Sequence, residues 1–218
     1  MLDYLRERGI LDDAITIVTS DHGENFLDHP RHFNHGFTVY QTAVRGVGLI
    51  RLPGAAKAGT RVPQLVSNID ILPTLLSTLG LEIPPEVEGE AIDITAPEII
   101  VLARTRFSQG TKPHKEAETD PRWYNIRKSR CIIAGDFKYV QTPYLSTEEL
   151  YDLSSDPWER DNLLVTGGPE FSRTAARLRR QLQAWADSAN PLPQPTEPQP
   201  KEITDDTIKR LKSLGYIE

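Results

Sequence analysis

Between positions 20 and 36 the chain gathers the side chains best suited to hold a cation or carry a proton. Ser20-Asp21-His22-Gly23-Glu24 is followed by Asp28, His29, His32 and His35, so four of the five histidines fall in this one stretch. Carboxylates are hard oxygen ligands and imidazoles are borderline nitrogen ligands; together they suit divalent cations from calcium and manganese to zinc. Asp21 and His22 are adjacent, so both reach one ion only where the backbone turns sharply, and Gly23 is expected to permit that turn. Two ligands do not complete a metal site, and the others must come from elsewhere in space. The same residues also read as an ordinary strand-ending turn with Asp21 as a cap, and both readings stand at this level. His29 and His32 lie in a polar loop and are expected to be exposed. His114 sits beside lysines and receives no role.

The elements that must position this cluster follow from hydrophobic patterning. Ala14 to Thr19 is a continuous β-branched run, the pattern of a strand buried on both faces of a mainly parallel sheet. A polar, glycine-containing cluster just beyond such a strand is where open α/β sheets place ligands. Ahead of it, residues 2–10 predict a short amphipathic helix ended by Gly9, with Asp12-Asp13 as a turn. Val47 to Leu52 predicts a second strand. Ile71 to Leu79 predicts a helix closed by Gly80, with Asn68 or Asp70 as N-cap and Pro73 in the first turn. Residues 82–97 are expected to be loop, and residues 104–122 a polar excursion after a short strand at Ile99 to Ala103. Ser129 to Ala134 and Phe137 to Thr142 flank Gly135-Asp136 as a hairpin, with Glu149 to Leu153 as a third antiparallel strand. Phe171 to Ala189 reads as a helix with Leu178, Leu182 and Trp185 on one stripe. Prolines at 191, 193, 195, 198 and 200 mark a stiff linker before a terminal helix at Thr204 to Leu214.

Composition narrows the classes. With 31 acidic against 25 basic residues, the net charge of −6 argues against nucleic acid as a partner. No apolar run is long enough to span a bilayer. Cys131 is the only cysteine, which excludes intrachain disulfides and sites built from several thiolates. It lies in an apolar strand pattern, so a buried, inert thiol is expected. Arg127 and Lys138 read as surface charges, and Glu148 to Asp161 as a solvated strand and turn. Phosphate-loop, dinucleotide and Gly-x-Ser-x-Gly fingerprints do not occur. The N-terminal residues have none of the regions of a signal peptide.

Several of these segments resemble, in order, the sulfatases of the alkaline phosphatase superfamily. They are Ile17-Val-Thr-Ser-Asp-His-Gly-Glu24; Asn34-His35-Gly36 with Tyr40; Leu49 to Gly54; and Ser67-Asn68-Ile69-Asp70-Ile71-Leu72-Pro73-Thr74-Leu75-Leu76. They continue with Glu149 to Leu153, Asp156-Pro157, Glu159 and Asn162-Leu163, and end at Leu211 to Tyr216. The resemblance implies an α/β fold: the C-terminal part of an alkaline-phosphatase-like sheet domain, plus a small antiparallel sheet subdomain with a packed C-terminal helix. It divides the chain at residues 1–97, 98–190 and 191–218, the last being the Pro-rich linker and terminal helix.

The resemblance also implies a chemistry, the metal-dependent hydrolysis of a sulfate ester. Asp21 and His22 match metal ligands, with calcium the first ion and manganese or zinc left open by the imidazole. His35 matches the histidine beside the ester, placed to stabilise charge on the sulfate or to help the leaving group depart. The substrate would be a sulfated small molecule or carbohydrate. The family nucleophile is a formylglycine matured from Cys or Ser in Cys/Ser-x-Pro/Ala-x-Arg; Cys131, followed by Ile-Ile-Ala-Gly, does not match it. The chain therefore reads as a C-terminal portion, inactive alone, and no compartment can be assigned to it. Gln41-Thr42 stand where the family usually has acidic residues, Val47-Gly48 where it has Val-Pro, and Phe37 follows the His-Gly pair instead of a lysine. A phosphodiesterase, phosphonate hydrolase or phosphoglycerol transferase of the same superfamily is the alternative, followed by a non-catalytic truncated domain.

Overall fold

The computed structural model describes residues 1–29, 35–36, 38–96, 104–111 and 128–188, together with Lys209. The strand expected at Ile99 to Ala103, the Pro-rich stretch, the terminal helix, His32, His114 and Arg127 lie outside the described residues. Contacts divide the chain into two units, Met1–Ala184 and Trp185–Glu218. The description below concerns the first unit and the helix that runs to Ser188.

The chain opens with two short helices, α1 (Leu2–Glu7) and α2 (Ile10–Asp13), separated by Gly9 at φ 69°. That left-handed residue ends α1 as expected. Asp12 and Asp13, expected as a turn, form the end of α2 instead. Leu11 is the first buried side chain.

Strand β1 (Thr16–Thr19) pairs with β2 (Gly48–Arg51), Thr16 opposite Arg51 and Thr19 opposite Gly48. The pairing is antiparallel, whereas the β-branched run predicted a strand of a mainly parallel sheet, covered on both faces. Val18, Leu49 and Ile50 are exposed at 47%, 62% and 41%. The local propensity makes the strand, but a ribbon of two four-residue strands has no layer of its own to bury both faces. Beyond β2, Ile15, Leu52, Ile92 and Ile94 form a small apolar cluster.

Helix α4 (Ile71–Thr78) follows a single turn of 3-10 helix at Asn68–Asp70, with Pro73 in its first turn and Gly80 at φ 68° just past its end. Asp70 is buried and satisfies what surrounds it. Its carboxylate accepts the Ser67 N–H at 2.8 Å and the Glu90 N–H at 2.9 Å, and it receives Arg106 through Nε at 3.2 Å and Nη2 at 2.8 Å. Arg104 Nη1 stands 3.8 Å away. Asp70 is thus a structural knot between α4, the 90s loop and the next sheet.

That sheet is antiparallel, in the order β3 (Thr105–Thr111), β4 (Lys128–Ala134), β5 (Phe137–Thr142), β6 (Thr147–Asp152). The hairpin and third strand were expected. Strand β3 was not, since its Arg, Ser, Gln and Gly residues read as polar loop. Its register against β4 brings Arg106 to Asp70, so a tertiary ion pair overrides a weak propensity. The sheet has two faces. Ile132, Tyr139 and Leu150 lie opposite one another on one face and are fully buried. Helix α6 (Pro169–Ser188), reached through the short α5 (Leu163–Thr166), buries Ala175, Leu178 and Leu182, and its Arg179 Nε donates to the Tyr139 hydroxyl at 3.1 Å. The other face carries Cys131, Val140 and Tyr151, packed against Val39, Tyr40 and Val44.

Leu178 is completely buried. Leu178→Ala leaves a cavity in this layer and lowers stability by about 2–5 kcal/mol, measurable by urea unfolding.

Candidate functional site

The loop after β1 is fastened to its neighbours before any functional side chain is considered. The Ser20 N–H donates to the Val47 carbonyl at 3.1 Å, and Ser20 Oγ accepts the Val47 N–H at 2.9 Å. The Gly23 N–H donates to the Ala43 carbonyl of helix α3 (Gln41–Val44) at 2.8 Å. A Cβ on Gly23 would lie 2.2 Å from the Thr42 carbonyl oxygen. Glycine is required here by the close approach of α3. The turn that Gly23 was expected to permit is made without a positive φ.

Side chains complete the fastening. Buried Asn25 donates Nδ2 to Thr38 Oγ1 at 2.9 Å and accepts from the Thr42 hydroxyl. Asn68 Nδ2 donates to the carbonyls of Asp21 at 3.0 Å and Ser20 at 3.3 Å. Of the two expected N-caps, Asn68 holds the loop instead, whereas Asp70 is the N-cap residue of α4 and closes a capping box with Ser67 across the 3-10 turn. The polar run around Ser67 announced a cap, but only the fold shows which residue turns toward Asp21.

Asp21 and His22 meet at their outer atoms. Asp21 Oδ1 accepts the His22 backbone N–H at 2.9 Å, and Asp21 Oδ2 lies 3.5 Å from His22 Nε2. His22 Nδ1 is 2.7 Å from the Gly23 carbonyl. A carbonyl can only accept, so Nδ1 carries a ring proton, and Nε2 is the ring nitrogen that faces Asp21. Ligating histidines are fixed in this way, by a hydrogen bond from the second ring nitrogen to an acceptor. Two donors that each reach one divalent cation at roughly 2.0–2.6 Å stand about 3–3.7 Å apart. The Asp21–His22 pair fits that requirement as a partial site. Among the described residues no group of three His, Cys, Asp or Glu side chains converges on a cation position.

His35 joins this pair. Its ring stacks on His22 with centroids 4.1 Å apart at 26°. Its Nδ1 lies 3.0 Å from Glu24 Oε2, so Glu24 sets the orientation of the ring. Glu24 was counted with the carboxylates of this stretch from sequence but given no role of its own; its adjacency to the Asp-His-Gly run was the available signal. His29 is buried, not exposed as expected, and stacks on Tyr40 at 3.7 Å and 6°. The Tyr40 hydroxyl donates to Glu149 Oε1 at 3.1 Å, and the Tyr151 hydroxyl to Glu149 Oε2 at 3.0 Å. Burial and then the neighbouring Glu149 charge hold both phenols well above the ordinary range, so both remain donors. Cys131 is fully buried, and burial pushes its thiol up, as an inert role requires.

Two other charge assignments are corrected. Lys138 is not on the surface: it is fully buried against Glu159, which is buried too. The stretch around Glu148 to Asp161 is accordingly more than a solvated turn, since Glu149 and Glu159 both face the segment that leads into α3.

Known proteins share this architecture. A family model described as N-sulphoglucosamine sulphohydrolase, C-terminal, matches residues 30–188. The chain belongs to this family, and thereby to the sulfatases. An N-acetylglucosamine-6-O-sulfatase of Bacteroides thetaiotaomicron is 28% identical over 184 residues, covering 84% of this chain and 32% of the relative. Arylsulfatase K of Mus musculus is 29% identical over 189 residues, covering 82% and 32%. The solved structure of BT4656 in complex with its substrate D-glucosamine-2-N,6-O-disulfate superimposes with a TM-score of 0.67 at 26% identity, over 87% of this chain and 38% of that one. A phosphonate monoester hydrolase from Silicibacter pomeroyi superimposes with a TM-score of 0.63 at 27% identity, over 84% and 37%. The chain spans about a third of the length of the curated relatives it matches.

Gly23→Ala forces the loop and α3 apart. It lowers stability by about 1–3 kcal/mol in thermal unfolding, and it displaces the imidazole NMR signals of His22 and His35, which a remote core change of equal cost leaves in place.

Proposed function

We propose that this chain is the C-terminal portion of a metal-dependent sulfatase acting on a sulfated carbohydrate. In this reading residues 1–97 are the end of the α/β domain, 98–190 the small sheet and helix subdomain, and 191–218 a linker and terminal helix. The observation that carries the proposal is the meeting of Asp21 Oδ2 and His22 Nε2 at 3.5 Å beside the stacked His35.

Asp21 and His22 would hold a divalent cation, calcium first and manganese or zinc next. When bound, it supplies Lewis-acid polarisation of the sulfate oxygens. His35, oriented by Glu24, carries a proton for the departing alcohol. Asn68, Asn25 and α3 keep these side chains in register, a prerequisite for bringing reacting groups together. The attacking group, a formylglycine by the family resemblance, has no counterpart here: the 218 residues contain no Cys/Ser-x-Pro/Ala-x-Arg. The sulfated sugar is supported by a relative named for N-acetylglucosamine 6-O-sulfate and by the neighbour bound to a glucosamine disulfate. The phosphonate monoester hydrolase of similar fold favours a second reading, since tetrahedral phosphonate and sulfate esters place similar demands on a cation and a proton donor.

Thermal unfolding of the purified chain with calcium, manganese or zinc tests the metal site. A cation that binds the native state stabilises it by about 2.7 kcal/mol at a hundred times its Kd. Asp21→Ala and His22→Ala are expected to abolish that gain, and equal stabilisation in both variants would remove these residues from the site. The chain alone is expected to turn over neither an aryl sulfate nor an aryl phosphonate. Sulfate turnover above the Asp21→Ala control would overturn the reading of an incomplete enzyme, and turnover of the phosphonate alone would transfer the chain to the second reading.

A further inference from the structure

Among the described residues, Lys138 and Glu159 form an ion pair that is sealed from solvent and is no part of the ligand set just described. Both side chains are completely buried, with Lys138 Nζ 2.5 Å from Glu159 Oε1. Neither atom makes a hydrogen bond of ordinary geometry, so charge attraction is what joins them. Glu159 sits at φ 55°, a left-handed conformation that costs a side-chain-bearing residue energy and persists only where surroundings impose it. Its second oxygen, Oε2, accepts the backbone N–H of Gln41 at 2.5 Å. Gln41 is the first residue of α3, whose N–H has no partner inside the helix.

The line of contacts then runs directly to the site. Two residues along α3, the Ala43 carbonyl receives the Gly23 N–H, and the Thr42 hydroxyl reaches Asn25. The Gly23 carbonyl in turn fixes His22. Lys138 lies on the sheet face that carries Cys131, Val140 and Tyr151, the face that packs against Val39, Tyr40 and Val44. A core of this kind has no need of a charge, since well-packed apolar residues in place of a buried ion pair are commonly neutral or stabilising.

We propose that the Lys138–Glu159 pair is a positioning device that locks α3 in place and thereby sets the Gly23–His22 loop of the candidate site. Lys138 aims the carboxylate, and Glu159 accepts the N–H of the first residue of α3. The inference deepens the sulfatase reading because it concerns the same loop. Its test reads the loop directly, without any metal.

Two variants separate positioning from mere stability. Gln41→Pro deletes the N–H that Glu159 accepts, along with the partly buried Gln41 carboxamide. Proline is favoured at the first helical position, and Tyr40 at φ −65°, ψ 157° already has the conformation that precedes proline. The double variant Lys138→Met with Glu159→Leu replaces the pair by apolar side chains and is expected to melt at or above the wild-type temperature. In both, amide exchange at Gly23 is expected to rise about tenfold, the loss of roughly one hydrogen bond. The His22 and His35 imidazole signals shift, while the Ile132 and Leu150 amides exchange as before. Unchanged Gly23 exchange and histidine signals overturn the proposal, as does faster exchange spread equally to Ile132 and Leu150. Should the double variant not fold, Gln41→Pro decides alone. A wild-type chain that gains no stability from calcium, manganese or zinc would count against the cation assignment of Asp21 and His22 and leave this proposal standing, since it is read from exchange and histidine signals alone.

Discussion

A carboxylate taken out of water must be met by opposite charge and by donors on its remaining lone pairs, or it will not stay buried. Among the described residues two carboxylates, Asp70 and Glu159, are buried on those terms, and the described fold is organised around them. Asp70 collects the Ser67 and Glu90 amides and the Arg106 guanidinium, with Arg104 alongside. Glu159 collects Lys138 and the Gln41 amide. Each ties together segments far apart in sequence, and each ends within one or two contacts of the loop that carries Asp21 and His22. Asp70 fixes the turn from which Asn68 reaches the Ser20 and Asp21 carbonyls. Glu159 fixes the helix from which Ala43 receives Gly23. The directional bonds come from these carboxylates, and the apolar cluster of Val39, Cys131, Val140 and Tyr151 supplies the non-directional adhesion beneath them.

Patterns that repeat with the period of an element were readable in the sequence. The Gly135 turn with its flanking alternation gave the β4–β5 hairpin, and the Leu178–Leu182 spacing gave α6 with its buried face. The order of short motifs pointed to the sulfatases. Features set by tertiary contact were not readable. Thr105–Thr111 has little strand propensity and becomes a strand because β4 pairs with it and Asp70 receives its Arg106. Lys138 alternates like a surface residue of a hairpin, and nothing local reveals that Glu159 will cover it.

The candidate site shows the same division at the scale of single atoms. Asp21, His22 and His35 were legible as residue types at suggestive spacing, and the structure brings all three together. Their supports were not legible. The glycine at position 23 was read for conformational freedom, yet its φ is ordinary, and the reason for glycine is the Thr42 carbonyl pressing where a Cβ would be. Asn68 was read as a cap and spends its amide on the loop instead. Sequence shows which groups are able to do chemistry, whereas the second layer that aims them depends on which backbone carbonyls arrive nearby.

The exposed apolar surface of the β1–β2 ribbon bears on how the chain works. Val18 belongs to a run patterned for full burial, and Leu49 and Ile50 to the strand paired with it, yet all three face solvent. Asp21 and His22, at the end of the same strand, offer two donors where a cation needs at least four ligands. Both observations have one physical basis: a ribbon of two four-residue strands has no second layer of its own, either to cover its apolar side chains or to bring further ligands. Under the proposed cation reading, a site of one carboxylate and one imidazole is expected to bind weakly, because a divalent ion needs more ligands and counter-charge than these two supply. The positioning of the two donors is not weakened in the same way, because it is set by Asn68, α3 and Gly23, all of which this chain provides.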